Sequence, residues 1–257
     1  METNKKEAIK KATFICALVL LIIIVGFITI KYEIEGEKNL PFLFTKMGVI
    51  STADAIQNEE GKIEVYQVND ILLTFEKNEN YNSKELIRRI GIENIEITNM
   101  PKIGNVQLYR PSTEENIKYE YSEDLNIGET LNYFGDIKTN IKNLNIANQG
   151  GTIEFRSCIK TGKYVEIQPE IESLQENVTN STTVGTTSDA RILKDAQINV
   201  EDLQYELNFN IVIELESGTK YKAKVTLNLP NENFGEDKVT AYEYTNLENI
   251  VFKRMRF

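Results

Sequence analysis

The feature that most constrains this chain is an uninterrupted apolar run near its N-terminus. It extends from Ala12 to Ile30, 19 residues without a charged side chain. A helix of that length rises about 28 Å, close to the roughly 30 Å hydrocarbon core of a bilayer. A secretory signal has a shorter apolar core, of about 7–15 residues, and small residues at its cleavage site. The exit of this run, FITIK, has no such site, so we predict an uncleaved transmembrane anchor over residues 12–30.

Two other interpretations of this apolar run are weaker. A lipoprotein signal needs its cysteine just after the apolar core, whereas Cys16 lies near the beginning of this one. A buried helix in a soluble domain usually carries a polar face, and this continuous apolar run has none. The membrane anchor therefore remains the prediction.

The charges that flank the run predict its orientation. Lysines precede the run and glutamates follow it: Lys5, Lys6, Lys10 and Lys11 against Glu33, Glu35 and Glu37. Positively charged flanks stay in the cytoplasm. We therefore expect residues 1–11 to form a cytoplasmic tail and residues 31–39 a short charged stalk. The protein would then lie in the cell membrane, with the bulk of the chain extracellular.

Beyond the stalk, apolar and polar residues alternate with the period of two that is typical of half-buried β-strands. Residues 71–75 show this alternation early, and its longest stretch lies between residues 205 and 229. We therefore expect a mainly β protein, with an N-terminal transmembrane helix followed by an extracytoplasmic antiparallel β-sandwich region and one short helix. We divide that region into two sandwiches, a first β domain over residues 40–122 and a second over residues 123–257.

Two local segments depart from the alternation. Ser83 can cap a short helix that Gly91 can end, and its apolar stripe would contain Leu86, Ile87 and Ile90. The stretch QENVTNSTTVGTTS, residues 175–188, is mostly Ser, Thr and Asn. It contains too little apolar surface to order itself. It could divide two domains or form a long loop within one, and we favour a mobile loop within the second β domain.

The two longest alternating stretches are expected to pair as a hairpin. Their apolar residues are odd-numbered on both sides of an SGT loop at 217–219. Two strands that bury one shared face must pair apolar with apolar residues, and a two-residue loop would break that rule. A three-residue loop satisfies it and places Leu215 opposite Tyr221 and Ile213 opposite Ala223.

Charge and composition disfavour several kinds of site. The net charge is −10, without a basic stripe, so nucleic acid is not an expected partner. The chain has no histidine, which removes Ser-His-Asp and Cys-His catalysis and His-ligated metals. Cys16 lies in the predicted anchor and Cys158 in the exterior part, so we expect no disulfide or CxxC pair. We expect no cofactor and no metal.

Two short stretches resemble functional motifs. SCIKTGK, beginning at Ser157, contains S-x-x-K and K-T-G of penicillin-binding proteins, but both motifs share Lys160, although they must come from separate elements. NQGGTIEFR, residues 148–156, could hold an anion in a glycine nest beside Arg156. The other interpretation is a glycine turn or bulge that leads into a strand. In both cases the sequence favours the structural interpretation.

Six stretches behind the anchor carry a resemblance to known sequences: YEIEGEKNLPF, ISTADA, EKNENY, PKIGNVQLYRPS, NQGGTIEFR and YKAKVTLNLP. Together with the anchor, they resemble a group of uncharacterised single-pass membrane-anchored proteins of AT-rich Gram-positive bacteria. The resemblance covers most of the chain. It implies a location at the membrane and assigns no activity, cofactor or functional residue.

The sequence supports two hypotheses about function. The first is a membrane-anchored extracytoplasmic interaction or scaffold module without catalytic activity. Its partners would be the membrane, which it spans once, together with other envelope proteins or an anionic wall polymer. The alternative is a carboxylate-dependent cell-wall glycan hydrolase, in which two acids about 5–10 Å apart would face a cleft.

The C-terminal stretch FKRMRF is the candidate contact surface. It places Lys253, Arg254 and Arg256 in an otherwise acidic region. One interpretation is an edge strand that positive charge protects from pairing with other chains. The other is contact with an anionic surface, either lipid head groups or an anionic wall polymer.

Overall fold

The computed structural model describes residues 2–57, 60–81, 85, 87–112, 118–128, 150–165, 191–235 and 240–255, with the backbone alone for residues 2–9, 150 and 151. Two α-helices are described, α1 (Glu2–Glu35) and the short α2 (Ile192–Asp195), together with two 3-10 turns, Val200–Asp202 and Leu247–Asn249. The strands are β1 (Phe42–Gln57), β2 (Ile63–Lys77), β3 (Ile87–Asn99), β4 (Asn105–Pro111), β5 (Tyr119–Leu125), β6 (Gly150–Val165), β7 (Tyr205–Leu215), β8 (Lys220–Leu229), β9 (Thr240–Tyr244) and β10 (Lys253–Arg254). The predicted loop at 175–188 lies outside the described residues.

Helix α1 contains the apolar run. Its segment Lys10–Glu35 is long and apolar enough to cross a membrane, and a signal sequence would meet the same criteria. The large apolar side chains from Phe14 to Ile30 are 48–70% exposed. The helix continues through Glu35, which forms ion pairs with Lys31 and Lys38. The first half of the predicted stalk is therefore helical rather than extended.

The described strands form two antiparallel sheets, which confirms the mainly β fold class. One sheet has six strands in the order β5-β4-β6-β2-β1-β9, and the other has four in the order β10-β8-β7-β3. Every pairing between these strands is antiparallel. The two sheets face each other across one apolar core to which both contribute.

Both sheets combine strands from the two domains that the sequence suggested. Strand β6 pairs with β2 and β4, and β9 pairs with β1. In the other sheet, β3 pairs with β7. The expected division between residues 122 and 123 therefore falls inside one two-sheet sandwich, because long-range pairing joins strands that the local alternation could not connect.

The alternation of each central strand determines which side chains fill the core. In β2 and β7, the inward-facing positions are odd-numbered and fully buried: Ile63, Val65, Ile71, Leu73 and Phe75 in β2, and Leu207, Phe209, Ile211 and Ile213 in β7. The rings of Phe155 on β6 and Phe209 on β7 meet edge to face across the core, with centroids 5.2 Å apart. Burial of this shared face is the main favourable term in folding.

The predicted helix that ends at Gly91 is wrong, because residues 87–91 belong to strand β3. The ladder with β7 shifts between Ile87 and Arg89, so one extra residue bulges there. A bulge puts two residues opposite one, and Ile87 and Ile90 are therefore both buried although they lie three apart. That spacing imitates a turn of helix in the sequence.

The β7–β8 hairpin keeps the predicted parity, but its predicted register is wrong by two residues. Ile213 faces Tyr221, and Glu214 faces Lys220. Leu215 N–H donates to Thr219 O at 2.9 Å, which leaves a loop of residues 216–218. Gly218 is then the last loop residue, with φ +85°, the position where three-residue hairpin loops favour glycine.

A buried polar network connects the two sheets through the hydroxyl of Tyr205 on β7. Asn69 Nδ2 on β2 donates to this hydroxyl at 3.0 Å, and Ser157 Oγ on β6 lies 2.6 Å from it. Ser51 Oγ on β1 donates to Asn69 Oδ1 at 2.7 Å. All four residues are buried. Ser157 of the SCIKTGK stretch is therefore a core residue engaged in this network.

Replacing Tyr205 with Phe should lower the free energy of unfolding by about 1–3 kcal/mol, because it leaves polar atoms of Asn69 and Ser157 buried without this partner. Urea unfolding of the full chain in mild detergent measures the change. Tyr164 is 48% exposed, so Tyr164→Phe is a matched control that should change the free energy little. Equal stability of the Tyr205→Phe variant and the unmodified chain would contradict the role of the network.

Candidate functional site

A groove rich in basic residues opens where the end of α1 meets the four-stranded sheet. We call it the basic groove. It has a volume of about 460 Å³, and its lining residues are Glu33, Asn210, Lys222, Lys224, Asn249, Val251, Lys253, Arg254 and Met255. The volume lies within the usual range for small-ligand sites, about 300–1,000 Å³.

Two neighbouring strands supply the cations. On β8, Tyr221, Ala223 and Val225 are buried, so the alternation turns Lys222 and Lys224 to the outer face of the sheet. Strand β10 is the edge strand of that sheet. It pairs with β8 so that Lys253 lies opposite Lys222 and Arg254 opposite Tyr221. The edge position agrees with the edge-strand interpretation of FKRMRF.

Opposing charge in the basic groove is limited. Glu33, near the end of α1, forms an ion pair with Lys253. It is the one carboxylate in the described lining, against four cations. Lys253 and Lys222 are cross-strand neighbours of like charge, an arrangement that destabilises a sheet. The groove is therefore suited to an anion.

Part of this site was predictable from the sequence. Lys253 and Arg254 both line the basic groove, whereas Arg256 lies outside the described residues. Lys222, Lys224 and Glu33 were missed as partners of the C-terminal stretch. The alternation along β8 already indicated that its even-numbered lysines face outward, but nothing local indicated that β10 would pair beside them.

A close backbone contact holds α1 against this edge of the sandwich. Glu37 N–H donates to Phe252 O at 2.9 Å, and Arg254 N–H donates to the Tyr32 hydroxyl. Gly36 has φ +64°, and a Cβ added there would lie 2.4 Å from Val251 Cγ1 and 2.6 Å from Phe252 O. Only glycine fits both the backbone conformation and the available space.

A smaller polar pocket adjoins the basic groove on the outer face of the four-stranded sheet. It has a volume of about 290 Å³ and is lined by Asn94, Glu96, Asn208, Phe209, Asn210 and Lys224. Asn210 and Lys224 are shared with the groove. This pocket holds one carboxylate, Glu96, against one cation, Lys224, and its amide groups can donate hydrogen bonds to an oxygen-rich ligand.

The outer face of the six-stranded sheet carries a second polar cluster. Arg156 on β6 donates two hydrogen bonds to its cross-strand neighbour Asp70, at 2.6 and 3.0 Å, and its guanidinium lies 4.4 Å from the centre of the Tyr119 ring. Arg156 of the NQGGTIEFR stretch is therefore engaged with Asp70. Burial raises the pKa of the nearby Cys158 thiol, which keeps this cysteine in the unreactive thiol form.

Asp54 is the unusual acid of this outer face. It is 4% exposed, and its Oδ1 has no hydrogen-bond partner in the described part of the chain. Burial raises the pKa of Asp54 to about 7, with a further contribution from the charge of Asp70 and an opposing one from Arg156. Such an acid could exchange a proton near neutral pH, but its enclosure separates it from molecules the size of a glycan.

The described residues contain no cluster of three or more Cys, Asp or Glu side chains that could hold a metal ion. A glycan hydrolase would need two acids facing one cleft. In the basic groove, the described lining offers the single carboxylate of Glu33, and it is already paired. The chemistry that this groove supports is therefore attraction of anionic groups.

Replacing Gly36 with Ala should loosen the contact between α1 and β10, because the added methyl group would overlap Val251 and Phe252. We expect faster hydrogen exchange at the Glu37 and Arg254 amides, by about ten-fold for a local cost near 1.4 kcal/mol. Gly162 has a similar φ of +68° with nothing within 4 Å of an added Cβ. Gly162→Ala is thus a matched control, and equal exchange in both variants would contradict the contact.

Replacing Asp54 with Asn should stabilise the protein at neutral and alkaline pH. Folding raises the pKa of Asp54, so the free energy of unfolding is highest below about pH 4, where this carboxyl is protonated in both states. It then falls as pH rises from about 4 to about 7. Asparagine does not ionise, so the variant should gain up to about 4 kcal/mol over the unmodified chain above pH 7. Urea unfolding across this pH range tests the profile, with exposed Glu123→Gln as the control. A gain that does not vary with pH would contradict the prediction.

Comparisons with known proteins supply no template for this site. No protein-family model, no curated protein and no solved structure matches the chain. The resemblance to single-pass membrane-anchored proteins therefore stays an expectation, and the function of the basic groove has to follow from its own charges and position.

Proposed function

We propose that this chain is a membrane-anchored extracytoplasmic interaction module without catalytic activity, which binds anionic groups through the basic groove. In this proposal α1 crosses the cell membrane once and is not cleaved. The N-terminus is cytoplasmic, and the sandwich is held on the outer face.

The apolar segment of α1 supports the anchor. It combines the length of a bilayer core with large apolar side chains exposed on all sides, which a helix in water would bury. The lysines before it and the glutamates after it favour a cytoplasmic N-terminus. Tyr32 lies two residues after the apolar run, where aromatic rings are common at a membrane interface.

The observation that carries the binding proposal is the position of the basic groove. Four cations of a chain with net charge −10 gather at the edge of the sandwich that contacts α1. The tight fit at Gly36 holds that edge against the helix end. An anchored protein would thus present its basic surface to ligands close to the membrane, where anchoring raises their effective concentration.

Cysteine labelling in wall-stripped cells tests the anchor and its orientation. Lys62 is exposed at the turn between β1 and β2, so an impermeant maleimide should label Lys62→Cys in intact cells. Glu7→Cys, in the predicted cytoplasmic tail, should react only after permeabilisation. Cys158 is fully buried and Cys16 lies within the apolar run, which keeps the native background low. Reversed labelling, or loss of the Glu7 site from the mature chain, would contradict the proposal.

The same proposal expects the purified full chain to leave cell-wall glycan uncut while still binding anionic material. Incubation with wall fragments, followed by analysis of soluble saccharides, checks this. Release of fragments that depends on a carboxylate of this chain would favour the hydrolase hypothesis instead.

A further inference from the structure

We propose that the basic groove binds the phosphate groups of anionic lipids in the leaflet from which α1 emerges. This inference rests on the proposed function, because it requires α1 to span the membrane with the sandwich outside. It identifies the ligand class of the groove, and it adds Lys222 and Lys224 to the residues that make contact.

The basic groove lies close to the end of the apolar run of α1. The apolar run ends at Ile30, and Glu33, which lines the groove, lies three residues further along α1. Three helical residues rise about 4.5 Å. The head-group layer on each side of the hydrocarbon core is about 5–7 Å thick. Glu33 therefore lies at the depth of lipid head groups, and so does the part of the groove beside it.

The local charge of the basic groove also favours an anionic ligand. The chain as a whole is acidic, so it should be repelled by an anionic surface. This edge nevertheless gathers four cations, Lys222, Lys224, Lys253 and Arg254. No described carboxylate forms an ion pair with Lys222 or Lys224 within 4.0 Å. Phosphate groups between Lys222 and Lys253 would relieve their cross-strand repulsion, since lysine is an effective point-charge partner for phosphate.

The lining of the basic groove combines polar amide groups with apolar side chains. Asn210 and Asn249 can donate amide hydrogen bonds to phosphate or glycerol oxygens. Val251 and Met255 add apolar surface, and Met255 is 38% exposed. A lipid offers both kinds of group in one molecule, with an anionic head next to an apolar chain. A soluble wall polyanion offers charge and hydroxyl groups but no match for the apolar residues.

The test measures lipid selectivity of the full chain in nanodiscs made of equal parts phosphatidylcholine and phosphatidylglycerol. Spin-labelled forms of each lipid report, by electron spin resonance, the fraction that the protein immobilises. The unmodified chain should prefer phosphatidylglycerol. Lys222→Ser with Lys224→Ser should reduce that preference by up to about five-fold for each lysine removed, and added salt should reduce it in the unmodified chain.

Matched controls come from the opposite end of the sandwich. Strand β2 extends from Lys77, beside the first residues of β1, to Ile63 near the far turn, roughly 45 Å along the strand. Lys62 and Lys163 are exposed at that far end, so replacing both with Ser should leave the selectivity unchanged. The double variant Lys222→Arg with Lys224→Arg keeps both charges and should also preserve the selectivity. Circular dichroism confirms that each variant is folded.

The outcomes separate this inference from the function on which it rests. Reversed or absent labelling at residue 62 would reject the anchor itself. Correct labelling with unchanged selectivity in the Lys222→Ser, Lys224→Ser variant would reject the lipid ligand alone. Binding of soluble poly(glycerol phosphate) that requires both lysines, without any lipid preference, would overturn the inference in favour of a wall polymer.

Discussion

The fold depends on one constraint, the burial of a single face of each sheet. In β2, β6, β7 and β8 the odd-numbered residues fill the core, so the even-numbered residues must face outward. This parity places Lys222 and Lys224 on one outer surface of the sandwich and Asp70 and Arg156 on the other. The position of every candidate functional group in these strands therefore follows from the same rule that forms the core.

The core contains a polar exception that makes its arrangement specific. Apolar packing alone would tolerate sliding of one sheet over the other, because it is non-directional. The Tyr205 hydroxyl can satisfy Asn69 and Ser157 only where β7 crosses β2 and β6. Any other register would leave buried polar atoms without partners, which costs more than the hydrogen bonds contribute.

Much of the fold could be predicted from local sequence, since period-two alternation identifies strands and the face that each one buries. Two local errors came from backbone features that alternation does not encode. The bulge at Ile87–Arg89 imitates a helical spacing, and the left-handed conformation of Gly218 moves the hairpin register by two residues. Both features depend on backbone dihedral angles, which the pattern of apolar residues does not specify.

The candidate site was less predictable, because its parts come from three distant places in the chain. Glu33 on α1, Lys222 on β8 and Lys253 on β10 meet only after the sandwich has formed. No spacing in the sequence connects them. The basic C-terminal stretch FKRMRF was visible as a charged cluster. Its neighbours in the folded protein depend on the pairing of β10 with β8.

Asp54 and the basic groove show two ways in which this protein tolerates unfavourable charge. The Asp54 carboxyl can take up a proton, and the neutral acid then avoids the free-energy cost of burying a charge. The groove lysines instead need an opposing charge close by. Glu33 offsets one of them, and it belongs to the helix that we propose as the anchor. Because the remaining cations lie beside that helix, our proposal takes the compensating anions from the membrane surface that the helix would cross.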